Sequence, residues 1–160
     1  MTAAAKPIPD GYHSITPSLT CRDAARAIEF YKSALGAQEL NRMAGPDGKV
    51  GHAELKIGDS IFFVSDEFPG MSTAPSASAP NTSTYLYVYV TDANAVFNRA
   101  VAAGARVAMP ITDMFWGDRY GKLTDPFGHQ WGIATHVEDV TPEEMGRRSA
   151  AFMAKAAGQS

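Results

Sequence analysis

His52 and Glu54 stand two residues apart in the run VGHAELKI, Val50 to Ile57, which alternates apolar and polar side chains. On a strand, residues i and i+2 share a face. If Ala53, Leu55 and Ile57 face a core, then His52, Glu54 and Lys56 face away from it, toward a cleft. An imidazole beside a carboxylate can form a hydrogen bond at the wall of that cleft. It can also supply two ligands to a divalent ion, with His129 and His136 as further donors. Glu54 alone could work as a general base. A second row has a different chemistry. In TYLYVYVT, Thr84 to Thr91, the apolar Leu86, Val88 and Val90 pack inward and turn Tyr85, Tyr87 and Tyr89 to the cleft. Three phenols on one face exceed what a core needs and make a wall for an aromatic or apolar ligand.

A third cluster surrounds the turn Asp125-Pro126-Phe127-Gly128, where Pro presets φ and Gly closes the turn without steric cost. Trp116, Arg119, Tyr120, His129 and Trp131 crowd this hairpin. After the turn, Trp131 and Ile133 pack inward, which leaves Gln130, Gly132 and Ala134 on the cleft side. Trp116, in a loop with Phe115, either roofs the cleft or braces a dimer. Arg119 is either an ion-pair partner for Asp118 or Asp125, or a clamp for an anion. Cys21, at a strand–helix junction, reads as an inert packed thiol.

The elements that position these residues follow from periodicity. His13 to Thr20 alternates, with Ile15, Pro17 and Leu19 on the packed face and Thr16 and Ser18 toward the cleft. Asp23 caps a helix from Ala24 to about Leu35, striped by Ala27, Ile28, Tyr31 and Leu35 and ended by Gly36. Three strands follow: Glu39 to Met43, Val50 to Ile57 after the turn Gly45-Pro46-Asp47-Gly48, and Ser60 to Asp66 after Gly58-Asp59. Residues 67–83 are rich in Pro, Ser, Ala and Gly and read as a flexible linker. Beyond the tyrosine strand, Asp92 caps a helix to about Ala103 with Gly104 at its end, and Arg106 to Thr112 forms a strand before the hairpin. Thr141-Pro142-Glu143-Glu144 is a capping box for a last helix through about Ala156, with Met145, Phe152 and Met153 as its apolar contacts.

A chain of 160 residues suits one domain or two half-domains sharing a core. The net charge of −3, with no Lys/Arg run, argues against nucleic acid and anionic membrane as partners. A single cysteine cannot form an internal disulfide and fits a reducing cytoplasm. MTAAAKPIPDGYH lacks the apolar stretch of a signal peptide, and no apolar run is long enough to span a bilayer.

The order strand, helix, three strands occurs twice. DAARAIEFYKSALG from Asp23 echoes DANAVFNRAVAAG from Asp92 at an offset of about 68 to 69 residues. The fold expected is α+β: two βαβββ modules, about 12–66 and 84–137, forming one curved mixed sheet with the helices on its convex face. Residues 1–11 are then a flexible arm, residues 12–140 the domain, residues 67–83 the linker, and residues 141–160 a C-terminal helix and tail.

AIEFYKSALGA from Ala27, HAEL-x-IGDS from His52 to Ser60, and GDRYG with DPFGHQW resemble the vicinal-oxygen-chelate superfamily over about residues 13 to 139. That group holds glyoxalase I, extradiol dioxygenases, and fosfomycin- and bleomycin-resistance proteins; its PhnB-like branch is the most similar part. Metal-dependent members carry a His or Gln on the first strand of a module and a Glu on the last. Carried onto this chain, the resemblance places Thr16 and Tyr85 at the imidazole positions, Gly132 at the second-module Glu, and Phe62 or Val64 near the first-module one. Thr and Tyr are poor neutral-pH ligands and Gly offers none, so the usual ion cage is missing and no cofactor is expected. The resemblance implies a homodimer that binds a small molecule in the cleft; alternation and local chemistry make His52, Glu54, Thr16, Tyr85, Tyr87, Tyr89, Trp116, Arg119, Tyr120 and Gln130 the candidate contacts, for a ligand that is apolar or aromatic. Two alternatives stand beside it. One is an enzyme, either a lyase or isomerase using Glu54 as base or a metal enzyme holding a divalent ion through His52 and Glu54. The other is an assembly module without a ligand.

Overall fold

A computed structural model of the chain describes residues 5–78 and 82–158. The first four residues of the expected arm, residues 79–81 of the expected linker and the last two of the tail lie outside the described residues. The chain divides into two compact units: residues up to Ser83 together with Asp125–His129, and Thr84–Thr124 together with Gln130 onward.

In the first unit, β1 (Ser18–Cys21) leads into α1 (Ala24–Leu35), followed by β2 (Gln38–Ala44), β3 (Val50–Ile57) and β4 (Ser60–Asp66). The strand order is β1-β4-β3-β2, with β1 parallel to β4 and the other pairs antiparallel. The second unit repeats this order: β5 (Leu86–Tyr89), α2 (Ala93–Ala102), β6 (Arg106–Asp113), β7 (Asp118–Thr124) and β8 (Gln130–His136) are arranged β5-β8-β7-β6, again with the first strand parallel to the last. The fold is thus α+β, two βαβββ modules, with α3 (Pro142–Ala157) following the second. In hydrogen bonding the expected sheet is two four-stranded mixed sheets, because each crossover helix returns the chain so that a module's own last strand seats beside its first.

The helix ends are set by the residues that mark the repeat. The Asp23 side chain accepts from the Arg26 amide at 3.1 Å, and that of Asp92 from the Ala95 amide at 3.0 Å. Gly36 takes the left-handed conformation, φ +71°, that ends α1. The α1 stripe Ala27, Ile28, Tyr31 and Leu35 is buried and is joined by Phe30 and Ala34. On β3, Ala53 and Leu55 are fully buried while His52 and Glu54 are half-buried on the other face.

Two buried carboxylates tie the first unit together. Asp66 accepts from the amide of Ala24 at the start of α1 (2.9 Å) and from that of Val50 at the start of β3 (2.7 Å). Asp125 accepts from the Tyr31 hydroxyl at 2.7 Å and from the amides of Phe127 and His129 at 2.9 Å each. Burial, then the negative charge of Asp125, raises the Tyr31 phenol well above its ordinary range. The same two causes push the Cys21 thiol up to about 12, so this buried cysteine is a packing group and not a nucleophile.

Several expectations are corrected. The first strand is short: Ile15 is 85% exposed and stands outside β1, so it is no core residue. Pro17 explains this, since it has no amide to give the ladder, and only its carbonyl pairs, with the Phe63 amide at 2.8 Å. Ser18 is exposed, and only Leu19 of the alternating set packs. The start of the linker is built locally, with a Phe68–Ser72 bridge, and the Glu67 carboxylate accepts from the amide of Ala74, which is buried. On α3 none of the described residues is buried; Phe152 touches Phe115 at 5.2 Å between ring centroids, while Met153 is exposed. Among the described residues, no helix is long and apolar enough to cross a membrane.

Candidate functional site

The second unit carries the denser cluster. Residues 119, 121 and 123 of β7 face α2, where a Cβ on Gly121 would lie 2.6 Å from the Phe97 ring. Alternation therefore puts Asp118, Tyr120 and Lys122 on the opposite, helix-free face. The register sets Lys122 beside Gly132 and Tyr120 beside Ala134, with Tyr87 and Tyr89 of β5 on the far side of β8. Tyr85 extends this row just before β5.

Asp118 is the hub. It is buried, and its carboxylate accepts from the hydroxyls of Tyr87 (2.7 Å) and Tyr89 (2.9 Å), from Trp116 Nε1 (3.1 Å), and pairs with His136 Nδ1 (2.9 Å). Burial pushes its pKa up, but these four partners outweigh burial and hold it below the usual carboxylate range. Burial, then the bond to Asp118, raises Tyr87. His136 also binds the exposed Asp139 at 2.8 Å, and that bond, followed by the one to Asp118, raises its pKa. The phenols of Tyr87 and Tyr89 are thus held by a carboxylate, which fixes their rings and leaves ring surface to face outward. Tyr85 is 40% exposed and Tyr89 63%.

Around Gly132 the rings close in. Tyr120 and Tyr87 stack at 4.9 Å with an interplanar angle of 4°. A Cβ on Gly132 would meet the Tyr120 ring at 2.6 Å and the Tyr85 ring at 3.2 Å. Burial, then the hydrogen bond with Tyr85, pushes the Tyr120 phenol up to about 12. The position that the resemblance gives to a Glu is thus covered by two phenol rings. Lys122 Nζ lies 4.2 Å over the centre of the Tyr85 ring, a cation–π contact.

The first unit holds a groove of about 730 Å³. Pro7, Ile8 and Pro9 of the arm line it together with Tyr12, Thr16 and Glu54, and Phe63 is part of the same wall. Tyr12 gives its phenol to Glu54, and this bond is the first cause of its raised pKa. His52 Nε2 stands 3.5 Å from Glu54 Oε1, and its ring packs on Phe63 at 4.7 Å. Phe62 and Val64 are core residues, so neither reaches this wall; Phe63, paired with Glu54 across β3 and β4, stands there instead of the two residues that the resemblance implies.

The structure brings Tyr85, Tyr87, Tyr89, Trp116 and Tyr120 together, and separately Thr16, His52 and Glu54. It does not bring in Arg119, which lies on the α2 side of β7 and pairs with Asp113 on β6 at 2.7 and 3.1 Å, not with Asp118 or Asp125. Gln130 is half-buried at the start of β8. His129 bonds the Thr20 carbonyl at 2.8 Å, and His136 pairs with Asp118 at 2.9 Å. Among the described residues, no group of three or more His, Cys, Asp or Glu side chains could hold a metal ion. Sequence reading missed Asp118, Lys122, Tyr12 and Phe63. Alternation from Tyr120 would have found the first two; Tyr12 had no signal beyond being aromatic.

Among relatives, a protein of Mycobacterium tuberculosis, Rv0887c, is 42% identical over 136 residues, spanning 82% of this chain and 79% of its own. The crystal structure of TioX from Micromonospora sp. ML1 is similar at 29% identity and a TM-score of 0.62, covering 78% of this chain and 99% of that one. The X-ray structure of the Arabidopsis thaliana At5g48480 product is similar at 32% identity and a TM-score of 0.61, covering 77% and 98%. The model of the Glyoxalase/Bleomycin resistance protein/Dioxygenase superfamily matches residues 11–133. By that match and by its paired βαβββ modules, the chain belongs to this superfamily.

Proposed function

We propose that the chain binds a small aromatic or apolar molecule on the tyrosine face of its second unit and needs no metal to do so. One observation carries this reading: Tyr85, Tyr87 and Tyr89 form a row in which the Asp118 carboxylate holds two of the three phenols, while Tyr85 and Tyr89 stay largely exposed. Rings fixed in this way lose little conformational freedom when a flat ligand stacks on them. Gly132, covered by phenol rings, supports the metal-free part. The runs AIEFYKSALGA and DPFGHQW support a place in the PhnB-like branch. The test is a thermal-shift screen of mono- and bicyclic aromatic compounds against the wild type and Tyr85→Ala/Tyr89→Ala. Hits that stabilise both proteins equally would place the ligand elsewhere.

A second reading has its own support in the first unit. Glu54 lines the groove, accepts from Tyr12 and neighbours His52, an arrangement suited to proton abstraction by a lyase or isomerase. Glu54→Gln should abolish turnover of any substrate found; unchanged turnover would exclude it as the base. We also propose a homodimer, supported by the exposed Phe152 and Met153 on α3. Sedimentation as a monomer at micromolar concentration would remove that proposal. A buried, unpaired cysteine supports a cytoplasmic location.

A further inference from the structure

Lys122 is an ammonium set against an aromatic ring, its Nζ 4.2 Å over the centre of Tyr85. Arg119, Arg147 and Arg148 in the same unit are each engaged by carboxylates. Among the described residues Lys122 has no acidic partner within ion-pair distance, and its contact is the Tyr85 ring beneath it. It is half-buried, so part of its hydration is already gone. The acid on the same face, Asp118, is four residues away along β7, about 13 Å at the rise of a strand. Its charge is answered by Tyr87, Tyr89, Trp116 and His136. Among the described residues, an anion arriving at Lys122 therefore meets a cation that no carboxylate holds within ion-pair distance.

We propose that Lys122 anchors the anionic group of the ligand, and that the ligand is an aromatic monoanion, a carboxylate or sulfonate. The proposal rests on the tyrosine-face reading above and gives it a substrate class. The ring of the ligand stacks beside Tyr85, and its acid group takes a charge-assisted hydrogen bond from Nζ. A single ammonium suits one negative charge. A phosphate monoester, with nearly two, would draw on further cations, and both nitrogens of His136 are already engaged.

The test uses two fluorescent dyes of nearly equal aromatic area, anilinonaphthalene sulfonate and the uncharged phenylnaphthylamine, titrated into the full chain at low salt. The wild type should bind the sulfonate about tenfold or more tightly than the neutral dye, as expected for one charge-assisted bond. Lys122→Met should erase that preference and leave the affinity for the neutral dye within about twofold, whereas Lys122→Arg should keep most of it. Tyr85→Ala should weaken both dyes, which ties the signal to this face and not to exposed apolar surface elsewhere. Thermal unfolding of each variant checks that it is folded. If the neutral dye binds through Tyr85 but Lys122→Met leaves the sulfonate preference intact, the anchor is wrong and the tyrosine face stands. If neither dye responds to Tyr85→Ala, the tyrosine face itself is wrong and the anchor falls with it.

Discussion

Asp118 shows how one side chain governs a whole face. Its carboxylate serves two phenols, an indole and an imidazole from inside the protein. Asp118→Asn puts an amide donor where donors already point, and should cost about 2–3 kcal/mol in urea unfolding, the range for buried hydrogen bonds to a charged group. A loss below about 0.5 kcal/mol, the level of an ordinary surface change, would mean the hub is dispensable. His136 adds a pH dependence whose sign is fixed. Asp139 and Asp118 raise its folded-state pKa above the ordinary value of about 6.5. Its contribution is therefore full below that value and fades as pH rises through the folded-state pKa. The stability advantage of the wild type over His136→Asn should be larger at pH 5.5 than at pH 8.5, both chosen as about a unit or more from that value. The reverse trend in paired urea melts would contradict the assignment. Asp118 works in the other direction: its lowered pKa gives stability that is lost only as pH falls through the acid range.

At the scale of elements, close ring packing over β8 depends on Gly132. Gly132→Ala forces a methyl into the Tyr120 ring, and overpacking of this kind costs about 1–3 kcal/mol. It should also move Tyr85 and weaken any stacked ligand, which a titration on the folded variant would detect. The Asp125–His129 turn is held differently, by a carboxylate that ties it to α1 through Tyr31. Asp125→Ala leaves that phenol and two amides without their acceptor, and a loss of about 2–3 kcal/mol is expected in a urea melt. Tyr31→Phe, which removes only the hydroxyl, should cost less.

At the scale of the molecule, two modules repeat one strand order but carry different chemistry. The first module presents Thr16, His52 and Glu54 beside an arm; the second presents tyrosines around a buried acid. If the second binds the ligand, a compound at a hundred times its dissociation constant should stabilise the fold by about 2.7 kcal/mol, read as a rise in midpoint temperature. Tyr85→Ala/Tyr89→Ala should remove most of that rise, and Glu54→Gln should not. The opposite pattern would assign the ligand to the groove of the first module.

Local chemistry was enough to write the repeat. The Asp caps, the helix stripe from Ala27 to Leu35, the ends of β3 and β4, and the three phenols in one row follow from periods of 3.6 and 2, which are properties of a few neighbouring residues. Which partner each polar group takes is a different matter. Arg119 found Asp113 because β6 and β7 pair in that register, and Asp118 became a hub because Trp116 and His136 reach it from a loop and from the end of β8. Phe63, not Phe62, faces the groove because β3 and β4 set it opposite Glu54. Such choices are made by segments far apart in the chain, and only their packing decides them: a carboxylate taken out of water must find donors wherever the fold has brought them.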